Sequence, residues 1–195
     1  MRRSVICVSH TEGAGGREIG RLLAERVQFR YVDEGIIFDA AHAERLYPEA
    51  VSWAESRRSG RLLEVDFHRL EKAETLRDLI RDAIVATADE GNVVIVAHAA
   101  SIALADRESV LRVLVTASTE TRLLRLSDAE GLDAKAAAKL LEESDKGRTA
   151  YLKRFYGVSR ELPTHYDLVV NTDTLATETA VETIARAAAI DRSFV

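Results

Sequence analysis

Short aliphatic runs alternate along the chain with longer stretches of helical spacing. Ser4-Val5-Ile6-Cys7-Val8 is apolar without polar alternation, as expected of a strand buried on both faces of a parallel sheet. Beyond a glycine-containing turn, Ile19, Leu22, Leu23 and Val27 recur at helical intervals, predicting a helix from Arg17 to Arg26. Phe29 to Val32 predicts a second strand ending at Asp33. The pattern is then helical from Glu34 to Glu90, with one piece from Gly35 to Leu46 and another opened by Pro48. A long helix follows, with Leu76, Leu79, Ile80, Ala83 and Ile84 on one stripe, and Gly91-Asn92 stops it. Val93 to Val96 is the strongest strand, and Val110 to Thr116 predicts another. Thr119 to Glu130 reads as a helix capped by Thr119, and Ala134 to Tyr156 as a helix broken near Gly147. Tyr166 to Asn171 is the last strand, and Thr177 to Ile190 the closing helix.

Five strands separated by helices predict a parallel sheet with right-handed crossovers, in one α/β domain. Ligands of such sheets sit at the strands' carboxyl ends, which puts the loops after Val8, Val32, Val96 and Thr116 first among candidate sites.

The length of 195 residues suits a single domain, and 47% hydrophobic residues suffice for its core. A net charge of −5 argues against a duplex nucleic-acid binder but leaves room for a small anionic ligand. One cysteine, Cys7, allows no internal disulfide and suits a reducing compartment. Arg2 and Arg3 are followed by no apolar stretch of signal-peptide length, and no segment approaches the roughly 20 apolar residues of a membrane span. The expectation is a cytoplasmic protein without nucleic-acid or membrane partners.

Gly13-Ala14-Gly15-Gly16, between a buried strand and a helix, is suited to hold phosphate. Glycines let several N–H groups converge, the helix adds its positive end, and Arg17 adds a full charge. The alternative is a tight strand–helix turn without a ligand. The fit to the Walker pattern G-x-x-x-x-G-K-[ST] is partial. With Gly15 as its second glycine, His10 takes the first, Gly16 the lysine and Arg17 the hydroxyl position. With Arg17 as the lysine, Glu18 stands in place of the hydroxyl.

The run Gly13-Ala14-Gly15-Gly16-Arg17-Glu18-Ile19-Gly20 resembles the phosphate loop of the cytidylate kinase-like proteins, a divergent branch of the P-loop nucleoside monophosphate kinases. That branch carries G-G-R-E where ordinary cytidylate kinases carry G-K and a hydroxyl residue. Tyr31-Val32-Asp33 with Gly35 resembles its Y-x-D-x-G stretch. Asp145-Lys146-Gly147-Arg148-Thr149-Ala150-Tyr151, then Phe155-Tyr156-Gly157, resembles its lid, and Tyr166 to Thr172 resembles its last strand, Y-D-L-V-I-N-T. The chain departs from the family after the third strand. The family reads V-G-R-G there, its arginine facing the acceptor phosphate, and this chain reads Val96-Ala97-His98-Ala99-Ala100. A histidine can hydrogen-bond a phosphate but lacks arginine's permanent charge and bidentate fork.

The resemblance implies a three-layer α/β fold of the P-loop NTPase type, with a five-stranded parallel sheet, a helical acceptor-binding insert near residues 34–90 and a helical lid near 142–162. It implies transfer of the γ-phosphoryl of ATP, with Mg²⁺, to a nucleoside monophosphate or other small acceptor, CMP or dCMP by the family name. Such a protein binds a small nucleotide and is compatible with a homodimer. Gly13, Ala14, Gly15, Gly16, Arg17 and Glu18 would then hold the donor phosphates, with Lys146 and Arg154 from the lid. Arg17 and Arg148 would carry transition-state charge, and Asp33 and His98 would meet the acceptor.

Each assignment has a plainer counterpart. The acid-free run from Lys146 to Arg160, with Lys153 and Arg154, is either a lid over phosphates or a solvated helix face. On it, Arg148 and Leu152 share one face, and Lys146, Ala150 and Lys153 another. Asp33 either holds a Mg²⁺ water or the acceptor, or caps the next helix. Glu18 either approaches the metal or favours its helix end by charge alone. His10 and His98 come together if the first and third strands are neighbours, but their spacing with Asp33 is not that of a metal site, and none is assigned. Trp53, near Arg57, Arg58 and Arg61, either stacks on a base or packs in the insert. A second reading of the whole chain is a nucleotide-sensing protein that keeps the fold without turnover. The absent Walker lysine and hydroxyl, and His98, favour it. A third is a plain assembly role, which predicts no nucleotide-dependent stabilisation.

Overall fold

The computed structural model describes residues 3–33 and 73–190. The expectations for Gly35 to Leu46, Pro48, Trp53 and Arg57, Arg58 and Arg61 lie outside the described residues. The elements are β1 (Val5–His10), α1 (Gly16–Val27), β2 (Arg30–Asp33), α2 (Ala73–Asp89), β3 (Val93–Val96), a one-turn α3 (Ala100–Ala103), β4 (Val110–Thr116), α4 (Thr119–Glu130), α5 (Ala134–Tyr156), a 3₁₀ turn (Pro163–His165), β5 (Leu168–Asn171) and α6 (Thr177–Ala189).

The five strands form one all-parallel sheet in the order β2-β3-β1-β4-β5. β1 is central, and its residues divide between two cores. Ile6 and Val8 join Ile19, Leu23, Val113 and Ile184 beneath α1 and α6. Val5 and Cys7 join Ile80, Ile84, Ile95 and Leu104 beneath α2 and α3. Two covered faces make a three-layer domain and explain why β1 reads as an unbroken aliphatic run. Cys7 is fully buried, and that burial pushes its thiol up to about 12, so it stays a protonated core side chain.

Several boundaries differ from the sequence reading. β1 continues through Ser9 and His10, because both pair with β4 opposite Leu114 and Val115. Ser118, not Thr119, caps α4: its backbone is extended and its hydroxyl accepts the Thr121 N–H. α5 passes through Gly147 unbroken. A helical glycine costs about 1 kcal/mol relative to alanine, which the buried stripe of Ala137, Leu141, Arg148 and Leu152 outweighs.

In register, Asp33 stands opposite Val96, His10 opposite Val115 and Thr116 opposite Asn171. The carboxyl ends therefore line one edge. The chain leaves β1 toward β2 on one side and later crosses to β4 on the other, opening a crevice at the end of β1.

Candidate functional site

The loop after β1 is shaped by two reverse contacts and two left-handed glycines. Thr11 N–H donates to the Val115 carbonyl at 3.2 Å and Ala14 N–H to the Thr11 carbonyl at 3.1 Å. Gly13 and Gly15 stand at φ +76° and +80°, where L side chains are strained. At Gly13 a Cβ would also lie 2.7 Å from the Arg122 carbonyl oxygen. From the far side, Thr172 donates its hydroxyl to the Ala14 carbonyl at 3.0 Å, and Arg125 braces Thr172 through its Oγ1 and carbonyl.

α1 opens from this loop, with Gly15 as N-cap and no side-chain cap. The first-turn amides of a helix need outside partners, and the macrodipole adds positive potential there. Ala14 and Gly16 are buried, while Gly15, Arg17 and Glu18 are exposed. Uncapped amides, an open mouth and an adjacent guanidinium suit a bound phosphate.

On the β2 side, the Tyr31 hydroxyl donates to the Asp33 carboxylate at 3.4 Å. Burial and the Asp33 charge push the Tyr31 hydroxyl up to about 12, against the opposing charges of Arg17 and Arg21. Asp33 thus stands at a strand end beside the Tyr31 hydroxyl, with Arg17 acting on the same neighbourhood.

His98 follows β3. The buried hydroxyl of Ser9 lies 3.2 Å from the carbonyls of Ala97 and His98 and 3.3 Å from the Ser101 hydroxyl, anchoring that loop to β1. The adjacency of β1 and β3 brings the His10 and His98 rings to 5.5 Å.

Arg148 joins these parts. It is buried on α5, and one terminal nitrogen reaches the His10 carbonyl at 3.0 Å and His98 Nδ1 at 2.6 Å. Its other two nitrogens hold both carboxylate oxygens of Glu161 at 2.7 Å. The Tyr166 hydroxyl donates to the same carboxylate. Burial works to raise the Glu161 pKa, but the hydrogen bonds and charge of Arg148, aided by Tyr166 and His98, hold it below the usual carboxylate range.

Arg122 is a site residue that the sequence reading passed over. It is buried on α4, donates from Nε to the Glu12 carbonyl at 2.6 Å and makes a bidentate pair with Asp145 at 3.0 and 2.6 Å. The available signal was its position four residues before Leu126, on the buried stripe of an otherwise solvated helix. Two buried arginines therefore grip main-chain carbonyls, one at the end of β1 and one in the loop that follows. Of the remaining candidates, Lys146 lies on the exposed face of α5, paired with Glu142 at 2.6 Å, and the Arg154 guanidinium lies 5.6 Å from the Phe155 ring centroid.

Residues 5–174 match the cytidylate kinase-like family. The chain belongs to that family. Among curated relatives, the cytidylate kinase of Ignicoccus hospitalis is 29% identical over 184 residues, 94% of this chain and 98% of that one. The cytidylate kinase of Sulfurisphaera tokodaii is 24% identical over 171 residues, covering 88% and 87%. Among solved structures, an uncharacterized protein from Eubacterium ventriosum superposes with a TM-score of 0.72 at 18% identity, covering 94% of this chain and 97% of that one. Shikimate kinase from Bacteroides thetaiotaomicron does so with a TM-score of 0.56 at 15% identity, again covering 94% and 97%. These structural likenesses establish the fold: the three-layer α/β arrangement is that of the P-loop kinases. In the register that takes Gly15 as the second Walker glycine, this member of the cytidylate kinase-like family carries glycine at the lysine position. Position 16 has no room for a side chain, since a Cβ on Gly16 would lie 2.2 Å from the His10 Cβ. No helix among the described residues is long and apolar enough to cross a membrane.

Proposed function

We propose that the chain is a nucleotide-dependent phosphotransferase that moves the γ-phosphoryl of ATP to a nucleoside monophosphate. The observation that carries this reading is the uncapped, glycine-built start of α1 at the end of the central strand, with Arg17 beside it and Arg122 and Arg148 on the Glu12 and His10 carbonyls that lead into it. Family membership and the cytidylate kinases among its relatives support the nucleotide substrate and point to CMP or dCMP as acceptor.

Phosphoryl transfer asks the protein mainly for in-line positioning and positive potential. The amides from Gly13 to Glu18 hold the donor phosphates, and Arg17 adds a mobile charge at their edge. Arg148, paired with Glu161, holds the end of β1 from beneath through the His10 carbonyl. Lys146 and Arg154 lie on α5 within the proposed lid. Asp33 suits Mg²⁺, which takes one or two carboxylates together with substrate phosphates and retained waters. When bound, the ion neutralises charge on those phosphates. His98 and Asp33, on adjacent strand ends, receive the acceptor. The domain works in the cytoplasm on small nucleotides.

The test is release of ADP from ATP and Mg²⁺ across the nucleoside monophosphates. Turnover with CMP or dCMP that falls sharply in Arg17→Ala is the expected result. Thermal stabilisation by ATP without turnover on any monophosphate would replace the kinase with a nucleotide sensor.

A further inference from the structure

Thr172 follows β5 directly, is 3% exposed and carries its hydroxyl among three polar groups. An Arg125 terminal nitrogen donates to Thr172 Oγ1 at 2.9 Å, and the Ala14 and Thr116 carbonyl oxygens lie 3.0 and 3.3 Å from it. Arginine has donors and no acceptor, so the hydroxyl oxygen accepts from Arg125 and its single proton goes to a carbonyl. The Thr116 carbonyl already accepts the Thr172 N–H at 2.8 Å. The shorter contact, to Ala14, therefore takes the proton. The other terminal nitrogen of Arg125 donates to the Thr172 carbonyl at 2.6 Å, which fixes the threonine backbone as well.

In a planar trans peptide the C=O and N–H point in opposite directions, and the Ala14–Gly15 bond is trans. A carbonyl drawn inward by Thr172 turns the Gly15 N–H the other way, toward the exposed side on which Gly15 stands. The Glu12–Gly13 peptide is held alike: Arg122 Nε takes the Glu12 carbonyl at 2.6 Å, which turns the Gly13 N–H away from α4. Between them, the Thr11 carbonyl is taken by the Ala14 N–H. Arg122 and Arg125 lie one turn apart on α4, so one helix governs both peptides. A flipped Ala14–Gly15 peptide would replace a donor at the loop mouth with a carbonyl lone pair, which an anion avoids. We propose that Thr172, braced by Arg125, is a positioning residue for the donor polyphosphate: it locks this peptide so that the Gly15 amide, not the Ala14 carbonyl, meets the anion. The assignment rests on the proposed function for its ligand, but not for the direction of the peptide.

The first arm of the test uses the free protein, labelled with ¹³C and ¹⁵N. A carbonyl ¹³C signal moves upfield when its hydrogen bond is lost, and the ¹⁵N signal of the following amide responds with it. Thr172→Val keeps the shape without the hydroxyl and should shift the Ala14 ¹³C and Gly15 ¹⁵N signals. Thr172→Ser should leave both near their wild-type positions. Arg125→Met keeps the hydroxyl but frees it to turn to Thr116, and should move the same two signals the same way by less. Signals unmoved in the valine or the methionine variant would overturn the proposal. The second arm measures the Kd for ATP with Mg²⁺, and the KM for ATP and for CMP by ADP release. Thr172→Val should raise the Kd and KM for ATP about tenfold, the worth of one hydrogen bond, and leave the KM for CMP within about twofold. Thr172→Ser should hold the ATP values within about threefold of wild type. An equal rise in both KM values, or a serine variant as weak as the valine one, would make Thr172 a merely structural residue and overturn the proposal. Turnover with an unchanged Kd for ATP in Thr172→Val would keep the phosphotransferase and overturn the proposal. ATP binding in the expected order of variants, without turnover on any monophosphate, would sink the kinase reading and leave the role of Thr172 standing.

Discussion

A Cβ built on Gly16 would sit 2.2 Å from the Cβ of His10. The two residues flank the phosphate loop, and the His10 side chain occupies the space a Gly16 side chain would need. A side chain cannot be introduced at position 16 by a single substitution without a clash. Gly16→Ala should destabilise the protein by about 1–3 kcal/mol, the usual cost of overpacking a tight site. Adding His10→Ala should not repair it, because the clashing Cβ remains, whereas His10→Gly should. Denaturation midpoints of the three variants check this order.

Arg122 and Asp145 tie the loop to α5. Asp145→Asn leaves a buried guanidinium with the Glu12 carbonyl as its other described partner, and should cost about 2 kcal/mol. A double-mutant cycle with Arg122→Met should return a coupling of about 1 kcal/mol or more. A coupling near zero in chemical denaturation would show that the pair contributes nothing to the placement of α5.

Arg17 is exposed, so its charge acts through solvent that contains ions. Arg17→Ala should lower kcat/KM in the ADP-release assay by about tenfold at low salt, and the gap from wild type should narrow in about 1 M NaCl, where the screening length is about 3 Å. A gap that does not change with salt would mean that Arg17 acts by shape rather than by charge.

Asp167 gives the fold an acid-sensitive bond between β4 and β5. Burial opposes its ionisation, but the Arg112 side chain and N–H, with Arg3, bring its pKa down to about 2 from an ordinary 3.8. A carboxylate with a depressed folded pKa stabilises above its unfolded pKa and loses that contribution as pH falls toward the folded value. Stability should therefore decline between about pH 4 and pH 2. Asp167→Asn should flatten that limb and cost about 1 kcal/mol at neutral pH after solvent screening. Urea midpoints against pH make the comparison.

The sheet was legible in the sequence because strands buried on both faces must be continuously apolar, as at Val5–Val8 and Val93–Val96. The loop was legible because Gly13 and Gly15 are required by backbone conformation. The shared face of Arg148 and Leu152 followed from helical geometry, and both are buried. The partners of these residues were not legible. Glu161 meets Arg148 only because the chain turns back at Gly157, and Arg122 finds the Glu12 carbonyl 110 residues away. A buried arginine in TETRLLRL differs from a solvated one only through such distant contacts. The cap of α4 was misplaced by one residue because Ser118 and Thr119 offer the same chemistry, and only the backbone frame separates them.

The account stands on amides at the start of α1 binding an anion. Its most direct test is a titration of ¹⁵N-labelled protein with ATP and Mg²⁺, followed through the backbone amide signals. The amides of Gly13 to Glu18 should shift most and earliest, with a matching rise in melting temperature that Arg17→Ala diminishes. Saturable shifts elsewhere, with the Gly13 to Glu18 amides unmoved, would contradict it.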